Sequence, residues 1–564
     1  MTLMVEYFSL APAWAIVGTL IVIGCVALSC QKNLRRFLHI MQLESYQVDG
    51  YLRCIKRNRT TDLLPLFGIA LFGVALEAVS AAIGQHVAAL WRVLMAAAAL
   101  AITMALAIEY AKRRNAQKQK TEFVMTQRMQ RLARACSILS ALCCALGVVL
   151  GMLAFAALQE VSVLLGAVCA GLLGYAPLAL LGYVVALGTR LRQRPENKIN
   201  QGFIDDAKRI LQNRPDLYKV GITGSFGKTS AKFILGTILR EKYNVLVPPA
   251  SYNTPMGVTR MVREMLTDEH EVMIAEMGAR HVGEIKELCE IVHPRYGLIT
   301  SVGKQHLETF GSLENIIHTK FELMEALPPD GVGAFPDDKG ICTALYEGFD
   351  GNKRLFGMQD EGVFMAAKDV SVGPMGSTFT LCCQGEEAAC RTRLLGRHNI
   401  MNILGCATIA YEMGLTLREI ATGIGKVEPV EHRLQLIDPQ TGVLIIDDAF
   451  NSNPTGTQMA MDVLAMFEGY RHICVTPGLV ELGEIEEEEN RKFGQRMAAV
   501  CDIVILVGEK RALAMQEGLL SEGFVQQNIY IVKNLDEATQ LLGTLTRPQD
   551  VVLLENDLPD HYVQ

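Results

Sequence analysis

The stretch "GITGSFGKTS", Gly221 to Ser230, lies between a short β-branched run, "YKVGIT", and "TSAKFILGTILREKY", in which apolar residues recur at helical spacing. A glycine-rich turn between a strand and a helix exposes backbone N–H groups, and the helix N-terminus adds a favourable dipole for phosphate. Lys228 can reach the β- and γ-phosphates of a nucleotide, and the Thr229 hydroxyl can ligate Mg²⁺. The stretch therefore predicts a nucleotide-binding loop.

The spacing of this loop departs from the common phosphate-loop pattern. The pattern G-x-x-x-x-G-K-[ST] requires glycine at position 222, where this chain has Ile222. The loop instead reads T-G-x-x-G-K-T, with glycines at 221, 224 and 227. A chance glycine-rich turn is the alternative, and the preceding strand, the following helix and the G-K-T-S ending argue against it.

Strand-like and helical runs alternate from residue 196 to the C-terminus. The runs "EVMIAEMG" and "YGLITSVG" have the composition of buried parallel strands, and so do "GVLIIDDAF", "RHICVTPG", "DIVILVGE", "NIYIVK" and "DVVLLEND" further along. Near residues 428–436 the chain passes through "VEPVEHRLQ", a plausible hinge. We predict a central ATP-binding α/β domain over 196–427 and a smaller, Rossmann-like domain over 428–564.

The first part of the chain is apolar and basic. Five apolar segments, at roughly 10–30, 63–84, 88–109, 136–157 and 161–189, are each long enough to cross a bilayer core about 30 Å thick. Residues 1–195 carry 19 Lys/Arg and 8 Asp/Glu, whereas the remainder carries 34 Lys/Arg and 52 Asp/Glu. We therefore predict an α-helical membrane domain of five spans over 1–195, a soluble part after it, and no nucleic-acid binding.

The loops between these segments predict the orientation. The 31–62 loop has seven Lys/Arg and the 110–135 loop has eight, while the turns near 85–87 and 158–160 have none. By the positive-inside rule the N-terminus lies outside and everything after residue 190 is cytoplasmic, so we expect a multi-pass protein of the bacterial cytoplasmic membrane. No Lys or Arg precedes Lys32, which favours a retained anchor over a signal peptide. The 15 Cys form no CxxC pair and are interpreted as reduced packing residues.

A membrane transporter with an attached ATPase is the alternative function. Glu77 is an ionisable residue inside a predicted span, which makes it a nominal functional residue, but a hydrogen bond between helices explains it better. The acidic pair in "VLIIDDAF" comes some 220 residues after the phosphate loop, and an LSGGQ-like signature is missing. The sequence thus favours an enzyme over a transporter.

A series of motifs resembles the Mur ligases, which build the peptide stem of the bacterial cell wall. The loop "GITGSFGKTS" resembles their ATP loop, and six further stretches follow in the family's order: "SYNTPMGV", "EMGARHVGEI", "ITSVGKQHLETFGSLENIIHTKFEL", "GRHNIMNILGCATIA", "EHRLQLI" and "IIDDAFNSNPTG". Within the family they are most similar to the branch that adds D-alanyl-D-alanine to a UDP-muramoyl tripeptide. Motifs recurring in order over residues 200–564 are more specific than any one of them.

The resemblance implies an ATP-dependent carboxylate–amine ligase for cell-wall precursors or a related envelope polymer. ATP would phosphorylate a carboxylate, and an amine would attack the acyl phosphate. The cofactors implied are ATP and two Mg²⁺ ions, and the partners are a carboxylate substrate and an amino-acid or dipeptide amine, either of them lipid-linked or UDP-linked. A catalytically dead scaffold would lack Lys228, Glu276 and His306, and all three are present.

The resemblance also implies roles for individual residues. The phosphate-binding set is Gly224, Ser225, Gly227, Lys228, Thr229 and Ser230, and the catalytic set is Lys228, Asn253, His306 and Lys320. The metal ligands implied are Thr229, Glu276, His306 and Lys320, the last in carbamylated form. Adenine and ribose would contact Asn399, Asn402 and Asp448, with Asp447 as a less favoured partner, and Arg433 would reach the phosphates when the last domain closes. Capping duty for the asparagines, and a surface position for Lys320, are the alternatives.

Three departures from the family pattern concern the substrates. Five predicted spans stand where the family has its UDP-sugar domain. Ser251 and Thr254 replace expected asparagines, and "LLENDLPDHY" stands where that branch has K-G-S-R. The sequence leaves open which carboxylate and amine are joined, what the membrane domain and Glu77 do, and the oligomeric state.

Overall fold

The computed structural model describes residues 12–87, 89–116, 122–249, 251–358, 362–450, 452–480 and 482–557. The chain falls into two compact units, divided between Ile199 and Asn200. Residue 195, suggested by the sequence as a domain boundary, lies within a continuous helix, Leu181–Gln212.

The first unit is helical. Its helices are α1 Pro12–Leu43, α2 Val48–Arg57, α3 Arg59–Asp62, α4 Leu64–Gly84, α5 Ala89–Ala116, α6 Gln127–Leu158, α7 Val163–Ala179 and α8 Leu181–Gln212. By length and composition, four of the described helices could cross a membrane, and the α7–α8 pair, bent by 57°, brings the number to as many as five. The bend follows Pro177, whose ring removes a helical N–H donor.

The helices run further than the apolar segments indicate. The predicted 31–62 loop is almost entirely helical, because α1 continues to Leu43 and α2 and α3 follow it. At this end of the unit, buried Asp62 accepts hydrogen bonds from Arg36 at 3.1 Å and from Arg114 at 2.7 Å. The helices therefore continue beyond their apolar stretches, and basic side chains form ion pairs there.

Glu77 lies between helices of the first unit, as expected. Its side chain is buried, and the Tyr175 hydroxyl on α7 donates to Glu77 Oε1 at 3.4 Å. This contact supports the interpretation that Glu77 joins neighbouring helices.

The second unit contains two sheets. The first of these sheets has nine strands within the described ranges. In chain order they are β1 Tyr218–Thr223, β2 Val245–Leu246, β3 Val272–Glu276, β4 Tyr296–Ile299, β5 Val332–Pro336, β6 Lys353–Gly357, β7 Met365–Gly373, β8 Gly376–Cys383 and β9 Glu386–Thr392. The order across the sheet is β2-β3-β1-β4-β5-β6-β7-β8-β9, parallel as far as β7 and antiparallel from there. The sequence did not predict the antiparallel edge.

Helices cover this sheet and connect its parallel strands. They are α9 Lys228–Leu239, α10 Pro255–Glu264, α11 Glu284–Val292, α12 Leu307–Phe310, α13 Leu313–Glu325, α14 Ile341–Gly348, α15 Arg397–Glu412 and α16 Leu417–Gly425. One hydrophobic core contains Val220, Ile234 and Ile403 on one face of the sheet, and another contains Met273, Ile285 and Leu323. Because β3 and the last four residues of β1 are buried on both faces, these strands are mostly apolar and do not alternate with polar residues.

The second sheet, with its helices, confirms that a second α/β fold follows the first. Its strands are β10 Gln435–Ile437, β11 Val443–Asp448, β12 Arg471–Thr476, β13 Ile503–Val507, β14 Ile529–Val532 and β15 Asp550–Glu555, in the order β10-β11-β15-β12-β13-β14. Its helices are α17 Pro454–Leu464, α18 Glu486–Val500, α19 Glu509–Ser521 and α20 Leu535–Leu545. Among the described strands of this second sheet only the β10–β11 pair is antiparallel, so the carboxyl ends of β11 to β15 share one edge.

Candidate active site

The loop after β1 has the backbone that its glycines predict. Gly224 and Gly227 have φ values of +155° and +81°. A Cβ at Gly227 would lie 2.6 Å from Asn402 Oδ1, and one at Gly224 would lie 2.1 Å from Thr300 Oγ1. Both glycines are therefore required by backbone conformation and by close neighbours.

The carboxyl end of β4 holds this loop in place. Ser225 N donates to Ser301 O and Phe226 N to Ser301 Oγ, each at 2.9 Å. The Ser225 hydroxyl exchanges hydrogen bonds of 2.9 Å with the backbone of Gly303. Ser225 thus lies in the predicted loop, but its side chain anchors the loop to the segment after β4.

Lys228 begins helix α9 and curls back over the loop. Its Nζ donates to Gly224 O at 2.6 Å and lies 3.4 Å from Ser225 O. Burial lowers the pKa of Lys228 to about 8, the Glu276 charge opposes that shift, and the Arg433 charge adds to it. A bound phosphate would favour the charged form, so this lysine is suited to phosphate binding.

Glu276, at the end of β3, lies opposite the first turn of α9. The Thr229 hydroxyl is 3.1 Å from Oε1 and 3.2 Å from Oε2 of Glu276, and Asn253 Nδ2 is 3.4 Å from Oε1. Thr229, Glu276 and Asn253, predicted separately from three distant motifs, therefore converge. Ser230 follows Thr229 in the same turn of the helix.

A fourth member of this group, Lys232, is not among the residues predicted from the sequence. Lys232 is fully buried, and its Nζ lies 3.4 Å from Glu276 Oε2. It belongs to the apolar run "AKFILG" on α9. A lysine inside such a run is unusual, since buried lysines are nearly always paired, and that was the available signal.

The arrangement around Glu276 fits a magnesium ion. Mg²⁺ is typically bound by one or two carboxylates together with substrate phosphates and water, and Thr229 and Glu276 offer a hydroxyl and a carboxylate beside a phosphate loop. Such an ion would neutralise charge on the phosphates. Within the described ranges no group of three or more His, Cys, Asp and Glu is placed to hold a metal by itself.

Lys320, on α13, is buried and not on the surface. Its side chain lies 5.9 Å from the centre of the Phe310 ring. Burial lowers the pKa of Lys320 to about 7, the Lys228 charge lowers it further, and Glu284 and Glu322 oppose both. The neutral amine is therefore accessible near neutral pH.

His306 is the N-cap residue of the one-turn helix α12, which runs from Leu307 to Phe310. It has a left-handed backbone, with φ of +52°, and is half-buried. The contact between Lys320 and Phe310 places α12 and α13 side by side. The role of His306 as a ligand of a second ion remains a prediction.

The predicted adenine residues lie next to the phosphate loop. Asn402 Nδ2 donates to Asn399 Oδ1 at 3.3 Å, and Asn399 Nδ2 donates to Leu395 O at 2.9 Å. Both asparagines are buried at the start of α15, and Asn402 adjoins Gly227. The two motifs, about 170 residues apart in sequence, form one wall of the site.

The hinge brings Arg433 to the same region. His432 and Leu434 on either side have left-handed φ values of +59° and +48°. The Arg433 guanidinium lies 4.1 Å from the centre of the Phe450 ring. Burial lowers the pKa of Arg433, and the charges of Asp448 and Glu276 oppose the shift.

The two acids that end β11 hold the hinge. Asp447 Oδ2 lies 2.7 Å from His432 Nδ1, and Asp448 Oδ1 accepts a 3.1 Å hydrogen bond from Leu434 N. The family resemblance implies a ribose contact for Asp448, with Asp447 as the less favoured partner. In the structure both aspartates bind residues adjoining Arg433.

Both α/β domains of the chain match known protein families. The profile of the Mur ligase middle domain matches residues 222–410, and that of the Mur ligase glutamate ligase domain matches residues 432–555. The UDP-N-acetylmuramoyl-tripeptide–D-alanyl-D-alanine ligase of Mycobacterium tuberculosis (strain ATCC 25618 / H37Rv) is 32% identical over 362 residues, which are 60% of this chain and 69% of that protein. This chain belongs to the Mur ligase family.

Other members of the family are similar to this chain in sequence and in structure. The ligase of the same name from Escherichia coli (strain K12) is 30% identical over 317 residues, 56% of this chain and 70% of that one. The structure of MurF from Acinetobacter baumannii matches with a TM-score of 0.58 and 26% identity, covering 64% of this chain and 78% of that one. MurF from Thermotoga maritima in complex with ADP shares the fold, with a TM-score of 0.57 and 24% identity over 64% of this chain and 81% of that one.

As a Mur ligase the chain is an ATP-dependent amide ligase of the kind that makes peptidoglycan precursors. The predictions of the family and of its reaction class are confirmed, and the transporter alternative is set aside. The predicted α/β domains are confirmed as well.

Proposed function

We propose that this Mur ligase works at the cytoplasmic face of a bacterial membrane and joins a dipeptide amine to the peptide carboxylate of a lipid-linked precursor. The supporting observation is the helical unit that precedes the ligase core. Four of its described helices, or five with the bent α7–α8 pair, are apolar and long enough to span a bilayer, and its basic side chains favour a cytoplasmic position for the core. A ligase held there meets membrane-bound substrate at high local concentration.

The chemistry follows from charge and position at Lys228, Thr229 and Glu276. A carboxylate oxygen of the substrate attacks the γ-phosphorus of ATP, the bond to the bridging oxygen breaks, and ADP leaves. The amine nitrogen then attacks the acyl carbon, the C–O bond to phosphate breaks, and the nitrogen loses a proton as phosphate departs. Lys228 and Arg433 neutralise phosphoryl charge, and Thr229 with Glu276 would hold the Mg²⁺ that assists them.

Lys320 supplies a second anionic group in this proposal. Its buried amine is neutral in part near pH 7 and can add carbon dioxide to give a carbamate. A carbamate has carboxylate-like oxygens, which suit a second Mg²⁺. His306 would lie beside that ion or its water shell.

The amine is proposed from the relatives, which are named for adding D-alanyl-D-alanine to a UDP-N-acetylmuramoyl tripeptide. Thr254 stands at a position where the family has asparagine, and in this chain its hydroxyl accepts from Gly257 N at 3.2 Å at the start of α10. Its side chain caps a helix beside Asn253. This chain thus departs from the family at a residue beside Asn253, and we propose that the departure concerns recognition of the carboxylate substrate.

The test supplies the purified full chain in detergent with ATP, Mg²⁺ and D-alanyl-D-alanine, together with either the UDP-linked or the lipid-linked muramoyl tripeptide. Mass spectrometry would detect the new amide. We expect product with the lipid-linked donor at a rate well above that with the UDP-linked one. A preference for the UDP-linked donor would overturn the lipid-linked assignment, and ADP formation independent of any amine would overturn the ligase reaction in this chain.

Two lysine variants control this experiment. Lys228→Ala removes the phosphate-loop cation and should abolish product. Lys533→Ala removes an exposed lysine at the end of β14 and should leave product formation unchanged.

A further inference from the structure

Two carboxyl side chains end adjacent strands of the second sheet. Asp448 ends β11 and Glu555 ends β15, and the two residues are direct partners in the parallel register. Register partners on parallel strands project from the same face of a sheet. Glu555 lies in "LLENDLPDHY", the stretch in which the sequence departs from its family, and its side chain is fully buried.

The hydrogen bonds of this pair leave one acid oxygen unsatisfied. Asp448 Oδ1 accepts from Leu434 N, and Glu555 Oε1 accepts from the Ser452 hydroxyl. Glu555 Oε2 is buried and has no donor among the residues that the structure describes. A buried carboxylate oxygen without a donor is costly, whereas a protonated carboxyl can donate to the neighbouring acid.

We propose that Glu555 is a positioning residue that shares one proton with Asp448, so that the pair carries a single negative charge opposite Arg433 and holds the hinge. Glu555 is fully buried and Asp448 is half-buried, so two full charges on these neighbouring carboxyls would be costly, and a shared proton removes one of them. Asp448 then fixes Leu434 N, and through it the orientation of the neighbouring Arg433.

The charged surroundings are consistent with a retained proton. On the hinge, Arg433 favours one negative charge, and on β11 Asp447, which contacts His432, adds a third acid beside the pair. On the other side, β12 presents the Cys474 thiol. Burial raises the pKa of Asp448 to about 6, with Arg433 opposing the rise, and burial followed by the Asp448 charge raises the pKa of Glu555 well above its ordinary value.

The proton matters for nucleotide binding because the half-buried Arg433 is acted on by acids of two strands, β11 and β3. Asp448 and Glu276 both act on the Arg433 charge. A second full negative charge at Glu555 would draw the guanidinium toward β11 and away from the phosphate loop. Loss of the proton at high pH would therefore weaken the hold of Arg433 on the nucleotide.

The test compares Glu555→Gln, whose amide imitates the protonated acid, with Glu555→Leu, which has no donor. Infrared difference spectra of the full chain in detergent would detect the carbonyl stretch of a protonated carboxyl at pH 7. We expect that band in wild type and its loss in Glu555→Gln. Absence of the band from wild type would overturn the shared proton.

Thermal unfolding gives a second readout with a defined sign. Because the folded form retains a proton that the unfolded chain releases near pH 4.3, wild type loses stability as pH rises above that value, up to the folded pKa. The midpoint of Glu555→Gln relative to wild type should thus rise by a few degrees between pH 5 and pH 8. A difference that stays constant with pH would contradict the proposal.

Affinity for Mg·ADP separates positioning from stability. At pH 7 we expect Glu555→Gln to bind Mg·ADP within about twofold of wild type. At pH 9 the affinity of wild type should fall severalfold, while that of Glu555→Gln stays the same. Glu555→Leu should bind more weakly than Glu555→Gln at both pH values. Asp550→Asn removes a buried carboxylate, paired with Arg471, from the other end of β15 and should leave affinity unchanged. Equal weakening by the Gln and Leu variants would show that ionised Glu555 is required and overturn the inference.

Discussion

The hydroxyl of Thr229 lies 3.1 Å from one carboxylate oxygen of Glu276 and 3.2 Å from the other, although 47 residues separate them. Thr229 is in the first turn of α9, after β1, and Glu276 ends the neighbouring strand β3. Parallel strands bring their carboxyl ends to one edge, so a helix N-terminus and a strand-end acid meet there. This contact is the centre of the candidate site.

Glu276→Gln keeps the shape of the side chain and removes its charge. We expect the Mg²⁺ concentration needed for half-maximal ATP turnover to rise at least about tenfold. Loss of even a residue that only supports a metal ligand typically lowers metal affinity by that factor. Titration of the full chain with Mg²⁺ at saturating ATP would measure it. An unchanged requirement would remove Glu276 from the metal site.

Lys232→Met breaks a buried ion pair from one side. Removing one partner leaves the other charge buried, which typically costs about 3–5 kcal/mol, so we expect the midpoint of urea unfolding of the second unit to fall. The double variant Lys232→Met with Glu276→Gln should recover much of that loss, because no uncompensated charge remains. Additive losses in the double variant would mean that the two side chains do not interact.

Gly227→Ala tests the contact between the phosphate loop and α15. The added methyl group would lie 2.6 Å from Asn402 Oδ1 at a residue with φ of +81°. We expect Mg·ADP affinity to fall by about tenfold or more, since both the loop and Asn402 must shift. Calorimetric titration would measure the affinity.

Gly283→Ala is the matched control for that variant. Gly283 also precedes a helix with a left-handed φ, of +89°, but an added Cβ meets nothing within 4 Å. It should carry similar backbone strain and leave nucleotide affinity unchanged. Equal weakening in both variants would mean that strain, and not the Asn402 contact, is responsible.

Lys320 predicts a stability change with pH. Burial lowers its folded pKa to about 7, whereas an unfolded lysine titrates near 10.4, so between these values the unfolded chain binds more protons. Stability of wild type should then rise with pH across this window relative to Lys320→Met, by about 1.4 kcal/mol per pH unit at most. Urea unfolding in carbon-dioxide-free buffer at several pH values would measure the difference, and parallel curves would contradict a buried amine with a lowered pKa.

Much of the site could be predicted because its residues occur in short local motifs. The glycines at 224 and 227 precede a helix, and Glu276 ends an apolar strand, so each motif carries its own structural context. Lys232 and the His432–Asp447 contact escaped prediction. Their roles depend on partners from other elements, which no local spacing encodes.

The sequence alone determined the order of elements, the apolar helices before the ligase core and the family, because periodicity, charge distribution and ordered motifs are local properties of the chain. Tertiary structure alone decided which acids are paired. Glu276 meets Lys232, and Glu555 meets Asp448, only through strand register and helix packing. Burial then changes the protonation of such groups, because the cost of a buried charge depends on everything that surrounds it.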